Sequence, residues 1–387
     1  LVGSEMCIRD RDTYSYNQAV LDVPAMSSGT GTIKATDSYS EYAIRGGFFR
    51  VNYNYLDKYL LEVNGRYDGS SKFPKSSRFG FFPSVSAGWQ IAQERFMNST
   101  RHWLDGLKLR ASYGVIGNQN INPYTFTPSM SVNNKATSWI IDDTYVTSIS
   151  SLPALVSQNF TWEKVGTINV GLDVNLFNNR LSGVFEWYQR NTNGMLAPGV
   201  QLPAVVGASA PYQNTADMRT RGWELSLNWR DQIGKVGYRI GFNLSDYKSE
   251  IIKYDDNAAT KLLSSYYPGQ TLGEIWGYVV DGYYTVDDFV DTSSWQLKEG
   301  VTSINGYNVR PGDVKFKNLR DDDTSTNVIT SGDNTFDNPG DRKVIGNTTP
   351  RYQYGINLGM NYAGFDLNVI LQGTGTVSYT HLTLPTT

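Results

Sequence analysis

A chain of 387 residues carries a formal net charge of −3, one cysteine and two histidines, His102 and His381. That charge balance implies neither nucleic acid nor an anionic surface as a partner, and so few Cys and His exclude a disulfide framework, a cysteine-rich zinc site and a multi-histidine metal centre. Hydrophobic residues make up 40% of the chain, yet no stretch approaches the ~20 consecutive apolar residues of a membrane helix.

Residues 1–11 differ in composition from the adjoining chain and read as appended sequence of the sequencing-adaptor type. Residues 377–387 read the same way, so Cys7 and His381 carry no functional expectation. The expected organisation is one β unit over 12–376 between two artefactual ends. No signal peptide opens the chain, which for an exported barrel points to a fragment.

The first clear alternation is Val85, Ala87, Trp89 and Ile91 against Ser84, Ser86, Gly88 and Gln90. Leu107, Leu109, Ala111, Tyr113 and Val115 then alternate with Lys108, Arg110, Ser112 and Gly114. Ile168, Val170, Leu172, Val174 and Leu176 lead to an Asn178-Asn179 turn, and the return carries Leu181, Phe185 and Trp187. The longest repeat comes next: Trp223, Leu225, Leu227 and Trp229 against Glu224, Ser226, Asn228 and Arg230, then Val236, Tyr238, Ile240, Phe242 and Leu244 against Gly237, Arg239, Gly241, Asn243 and Ser245. A last pair holds Tyr352, Tyr354, Ile356, Leu358, Met360 and Tyr362, a turn at Ala363-Gly364, and Phe365, Leu367, Val369 and Leu371.

Alternate side chains of a strand point to opposite faces, so each hairpin has one greasy and one wet face. The runs exceed the usual ~5–6 residues of a globular strand and match the roughly 9–11 of a membrane-crossing one. Charged and amide residues on the wet face would not be buried unpaired in a sandwich core and suit a water-lined lumen. Aromatics reach 13%, with 26 Tyr and 9 Trp, as interfacial girdles require. Tight turns near Leu56-Asp57, Asn178-Asn179, Gln232 to Lys235 and Ala363-Gly364 alternate with long polar stretches at 118–158, 192–217 and 250–350. The expected fold is all-β: an antiparallel transmembrane β-barrel fragment of about ten long strands, an open curved half-barrel with short periplasmic turns and long extracellular loops.

The stretch 59–119 carries Arg66, Asp68-Gly69-Ser70-Ser71, Phe79-Gly80, Phe82-Pro83-Ser84 and Gly88-Trp89. Together with Thr220-Arg221-Gly222-Trp223-Glu224, Gly312-Asp313-Val314-Lys315-Phe316 and Gly364-Phe365-Asp366-Leu367, it resembles the C-terminal barrel half of SusC/RagA-type TonB-dependent outer-membrane transporters. The resemblance covers about 12–376. It implies a large barrel with a plugged lumen, in the outer membrane of Bacteroidota, that imports oligosaccharides or peptides. It further implies a SusD-like surface lipoprotein as cap, the TonB complex as energy source acting through an N-terminal part outside this chain, and contact with outer-membrane lipid. The rivals are a secreted all-β glycan-binding protein, an extracellular polysaccharide-degrading enzyme and another class of outer-membrane receptor.

No nucleophile elbow, phosphate loop, zinc helix or paired-carboxylate motif is present, so no catalytic residue, cofactor or metal is expected and the protein is not read as an enzyme. Asp68-Gly69-Ser70-Ser71 reads as a turn in which Asp caps backbone N–H groups in preference to a binding loop. Asp313, Asp321, Asp322, Asp323, Asp333, Asp337 and Asp341 form an acidic stretch. The glycine and terminal glutamate of an EF-hand loop are missing, and a solvated loop is the reading preferred over calcium. Tyr266, Tyr267, Trp276, Tyr278, Tyr283 and Tyr284 are candidates for ligand or partner contact; packing of the loop on itself ranks first, partner contact second and substrate third. Arg110, Glu224, Arg230 and Arg239 are candidate lumen-lining residues.

Overall fold

The computed structural model describes residues 2–18, 29–129, 132–133, 140–141, 144–145, 149–150, 153, 155–157, 160–200, 202–257, 260–262, 266–291, 293–319 and 327–375. Eleven long strands form the wall: β1 (Val2–Gln18), β2 (Gly29–Tyr55), β3 (Tyr59–Ser70), β4 (Phe79–Gln90), β5 (Leu104–Asn118), β6 (Glu163–Leu176), β7 (Leu181–Pro198), β8 (Tyr212–Ile233), β9 (Val236–Tyr254), β10 (Gln353–Tyr362) and β11 (Phe365–Thr374). They succeed one another in the sheet in chain order, each antiparallel to the next, an up-and-down meander. About ten strands were expected; the sheet has eleven. The expected non-native residues 377–387 lie outside the described residues, and all but the first of 1–11 fall within β1, backbone-paired to β2.

Register carries the alternation across the whole wall. One row of cross-strand partners reads Tyr55, Tyr59, Trp89, Leu109, Leu172, Phe185, Leu225, Leu244 and Tyr354 over β2 to β10. The neighbouring row, one residue over, reads Asn54, Leu60, Gly88, Arg110, Gly171, Glu186, Glu224, Ser245 and Gln353. A slip of one residue at any strand would break both rows. These rows also climb: Tyr55 sits at a tight turn on one rim, and Tyr354 at the start of a strand on the other. That stagger is the register shear by which a closed sheet tilts its strands.

The tight turns share one rim. Leu56 and Asp57 (φ 53° and 54°), Asn178 and Asn179 (56° and 59°), Gly234 (60°), and Ala363 and Gly364 (49° and 88°) adopt the left-handed conformations that close hairpins. The fifth connection on that rim, from β4 to β5, contains short 3₁₀ turns at Ile91–Gln93 and Arg95–Thr100. Ile91, expected in a strand, opens the first of these, and Tyr352 has φ 55° just before β10. On the opposite rim, β7 and β8 run on to Pro198 and from Tyr212, so much of the expected loop at 192–217 is a polar hairpin standing above the greasy band.

Dense packing is concentrated toward the long-loop rim, in the connections and the strand ends beside them. Phe73, Phe82, Phe160 and Trp162 form one buried cluster and Tyr284, Phe289 and Val309 another. The apolar face of the wall is open: Val51, Tyr53, Leu61, Leu358, Met360 and Leu367 are all more than a third exposed. No helix of the described residues is long and apolar enough to cross a membrane.

Candidate functional site

The four candidate lumen residues all project from the polar face, by register. Arg110 of β5 binds Asp173 of β6 at 3.1 Å and also pairs with Glu186 of β7, while Asn169 donates to Glu186 at 3.2 Å. The space for that guanidinium comes from Gly171, where a Cβ would stand 2.8 Å from Arg110 Cζ. Glu224 lies directly opposite Glu186 and is exposed. Arg230 and Arg239 oppose each other on β8 and β9; Arg230 donates to the Asn179 carbonyl at 3.2 Å and Arg239 to Asn368 at 2.5 Å. They border a hollow of about 750 Å3 shared with Gln232, Asn361 and Asn368. A second hollow, of about 430 Å3, is bordered by Asn52, Glu62, Ser86, Lys108 and Arg110. The two carboxylates that converge here, Asp173 and Glu186, are both engaged by the Arg110 guanidinium, and among the described residues no three His, Cys, Asp or Glu side chains are grouped to hold a metal.

The six loop aromatics separate into two classes. Tyr267 and Tyr284 are buried at 1% exposure. The Tyr267 hydroxyl donates to Glu274 and accepts from Trp276 Nε1 at 3.1 Å, and Trp276 Nε1 also lies 2.8 Å from Glu274. Burial, reinforced by Glu274, pushes the Tyr267 phenol well above its usual range. The Tyr284 hydroxyl donates to the Thr302 carbonyl at 2.6 Å, and burial raises its pKa. Tyr278 packs on Phe316 at 5.4 Å. Tyr266 and Tyr283 differ: they are 48% and 65% exposed, with Tyr266 in an edge contact with Tyr254 at 5.6 Å between ring centroids.

The acidic stretch is divided similarly. Residues 320–326, with Asp321, Asp322 and Asp323, lie outside the described residues. Asp341 is fully buried and accepts the backbone N–H groups of Leu319 and Thr330, both at 2.7 Å. Asp313 accepts from the Arg310 N–H at 2.7 Å. These carboxylates bind backbone.

The turn expected over Asp68–Ser71 begins later: Asp68, Gly69 and Ser70 are the last residues of β3, and only Ser71 lies in the turn. Asp68 does not cap it: its carboxylate lies in β3, bound to Arg66 at 3.0 Å and filling the space a Cβ at Gly46 would need. Capping falls to the serines. Ser71 Oγ accepts from the Ala43 N–H at 2.8 Å, and the buried Ser70 accepts from the Lys72 N–H at 3.3 Å. Short hydroxyls reach back to nearby N–H groups, whereas the Arg66 charge two residues away captures the longer carboxylate.

Sequence reasoning missed two features. Asp173 and Glu186, the partners of Arg110, were not singled out because a cross-strand partner is invisible until register is known. The outward face also ends in polar residues: along β8 the apolar Trp223 to Trp229 run stops at Arg221 on one side and Asp231 on the other. Arg221 donates to Gln189 at 2.8 Å and Asp231 pairs with Arg180 at 3.2 Å. The stretch between, about 34 Å of strand, stands about 26 Å tall at a tilt of roughly 40°, the height of an outer-membrane apolar band. The loss of apolar residues at period two was a readable signal for these limits.

Residues 8–383 match the family model described as TonB dependent receptor-like, beta-barrel. The chain is 30% identical over 380 residues to TonB-dependent receptor P3 of Formosa agariphila, covering 93% of this chain and 35% of that protein. It is 35% identical over 209 residues to TonB-dependent receptor SusC of Bacteroides thetaiotaomicron, covering 53% of this chain and 20% of SusC. Among solved structures, the RagAB peptide importer in its open-open state superposes with a TM-score of 0.73 at 23% identity, over 96% of this chain and 38% of that chain; this is a likeness of fold. The chain thus spans about a third or less of the length of these curated relatives.

Proposed function

Because the chain belongs to the TonB-dependent receptor-like β-barrel family, whose members are receptors and transporters of the bacterial outer membrane rather than enzymes, we propose that it forms lumen wall and extracellular loops of an importer for oligosaccharides or peptides. The observation that carries this reading is the pair of adjacent rows across nine strands, one greasy, the other rich in charge, amides and glycine. The greasy row faces lipid. The polar row lines the path of the solute, with Arg110, Glu224, Arg230 and Arg239 setting its charge. A SusD-like lipoprotein covers the long-loop rim, where Tyr266 and Tyr283 offer exposed rings of the kind enriched at partner interfaces. Energy comes from the TonB complex acting on a plug within the full-length protein.

The test is uptake by the full-length protein carrying this chain, expressed with its neighbouring lipoprotein in a strain lacking both. Energy-dependent import of a labelled oligosaccharide or peptide mixture is expected, with the lipoprotein co-purifying. A folded outer-membrane protein that imports neither class would overturn the reading. Exchanging Arg110, Glu224, Arg230 and Arg239 for leucine, singly, should alter uptake rate; unchanged uptake in all four would remove the lumen role from these positions.

A further inference from the structure

We propose that Arg219, Arg221 and Lys248, on the outward face of β8 and β9, bind a phosphate group of the glycolipid in the outer leaflet. By register, Arg221 lies directly opposite Lys248. That places the two Cβ atoms about 5 Å apart, and two like charges so placed destabilise a sheet unless an anion joins them. Arg219 lies two residues further along the same face. Both arginines are oriented by amides rather than neutralised by carboxylates: Arg221 Nε donates to Gln189 at 2.8 Å and Arg219 Nε to Asn191 at 3.2 Å. Only the Nε groups of the two guanidinium groups are engaged in these contacts, and Arg221 and Lys248 are exposed. The nearby acids do not discharge the group. Asp246 is held by Arg351, and Glu250, although opposite Arg219, makes no ion pair with it among the described residues.

Position decides the ligand. One step below Arg221 on the same face stand Trp223 and its cross-strand partner Trp187, the aromatic level at which a bilayer's acyl region ends. A cation immediately beyond it meets headgroups. Two cations at the short-turn rim, by contrast, have carboxylate partners: Lys58 pairs with Glu94 at 2.9 Å and Arg180 with Asp231 at 3.2 Å. Arg219, Arg221 and Lys248 form a cluster of three cations without a carboxylate partner among the described residues. The long-loop rim is the extracellular one in this family, and the outer leaflet there is built of phosphorylated glycolipid. Paired arginines and a lysine match phosphate in charge and fork geometry.

The experiment uses the full-length protein purified in detergent and titrated with host outer-membrane glycolipid, the same lipid after enzymatic dephosphorylation, and inorganic phosphate alone, with bound lipid counted by native mass spectrometry. Retention of the phosphorylated lipid should fall about tenfold in Arg221→Gln/Lys248→Gln, the loss of two charge-assisted contacts, and stay at the wild-type level in Lys298→Gln, an exposed loop lysine. Equal retention in the double variant would overturn the proposal. So would equal binding of the dephosphorylated lipid by wild type, or saturation of the site by inorganic phosphate with no preference for lipid. The wild-type comparison of the two lipids stands even if the double variant fails to assemble. The proposal rests on outer-membrane placement and not on import, so a protein that transports nothing would still test it.

Discussion

Asp341 shows how single side chains hold the long segment between β9 and β10. Its carboxylate is fully buried and receives two backbone N–H groups at 2.7 Å. The adjoining Arg342 donates to the Ser331 carbonyl at 2.7 Å. An Asp341→Ala change strands two buried donors, at about 1–3 kcal/mol for each group left unsatisfied. The 255–352 segment should then open locally while the wall stays assembled, read as new protease cleavage within it on intact cells with unchanged barrel mobility on unheated gels. An unchanged cleavage pattern would show that Asp341 is not the support its contacts describe. None of this was legible in the sequence. A buried aspartate among seven in an acidic stretch carries no periodicity, and its partners Leu319 and Thr330 lie 22 and 11 residues away.

At the scale of elements, β8 offers two adjacent residues with opposite expectations. Leu225 lies in the greasy row between Phe185 and Leu244, and Glu224 in the polar row between Glu186 and Ser245. Leu225→Arg should destabilise the protein in lipid by about 2–4 kcal/mol, the penalty for arginine at mid-bilayer on a barrel. Glu224→Arg should leave stability nearly unchanged, because its position is wet and Glu186 is a favourable neighbour. Denaturant unfolding of the full-length protein in vesicles checks this; equal effects of the two changes would mean the faces are misassigned.

The short-turn rim adds a pH-dependent element. Glu94 binds Lys58 at 2.9 Å, Tyr59 at 2.8 Å and Trp89 at 3.2 Å, which ties the β4–β5 connection to the β2–β3 turn. The Lys58 contact first, then Tyr59 and Trp89, hold its carboxyl below the usual carboxylate range. A depressed folded pKa means the tie is present above the ordinary glutamate pKa and is lost as pH falls through the folded value. Protection of the 91–103 amides, their exchange relative to the intrinsic rate at each pH, should therefore fall on acidification below the usual glutamate range, and Glu94→Gln should be weakly protected at every pH. A pH-independent protection factor in the unmodified protein would refute the tie. These strands were legible because apolar residues recur at period two, and three of the tight turns because Asn or Gly marks a positive φ, at Asn178-Asn179, Gly234 and Gly364. The 3₁₀ connection and the polar extensions of β7 and β8 were not, since neither carries an apolar alternation.

For the whole molecule, fold class was legible before any register was known, because strands that alternate over nine or more residues and carry charge and amides on the face away from the greasy one suit a membrane-crossing barrel wall. Strand count was harder to read. The ladder of β1 with β2 uses backbone groups that any sequence supplies, so pairing alone cannot tell native from appended residues at 1–11. What the whole molecule does fix is the height of the membrane, and tryptophan can measure it. Trp223 and Trp229 lie on one face of β8, near the long-loop and short-turn ends of the apolar band, while Trp276 and Trp295 belong to the extracellular segment. In the full-length protein reconstituted with lipids brominated near the headgroup or at the chain end, single-tryptophan versions retaining Trp223 or Trp229 should be quenched best by the headgroup-proximal label, from opposite leaflets. Those retaining Trp276 or Trp295 should be quenched by neither lipid. Trp223 and Trp229 sit about 20 Å apart along the strand, or roughly 16 Å in height after tilt. Centred in a 25 Å band, each then lies about 5 Å from an edge. Strong chain-end quenching at both would mean that the band extends past Arg221 and Asp231, and that the outward cations lie within lipid rather than at its surface.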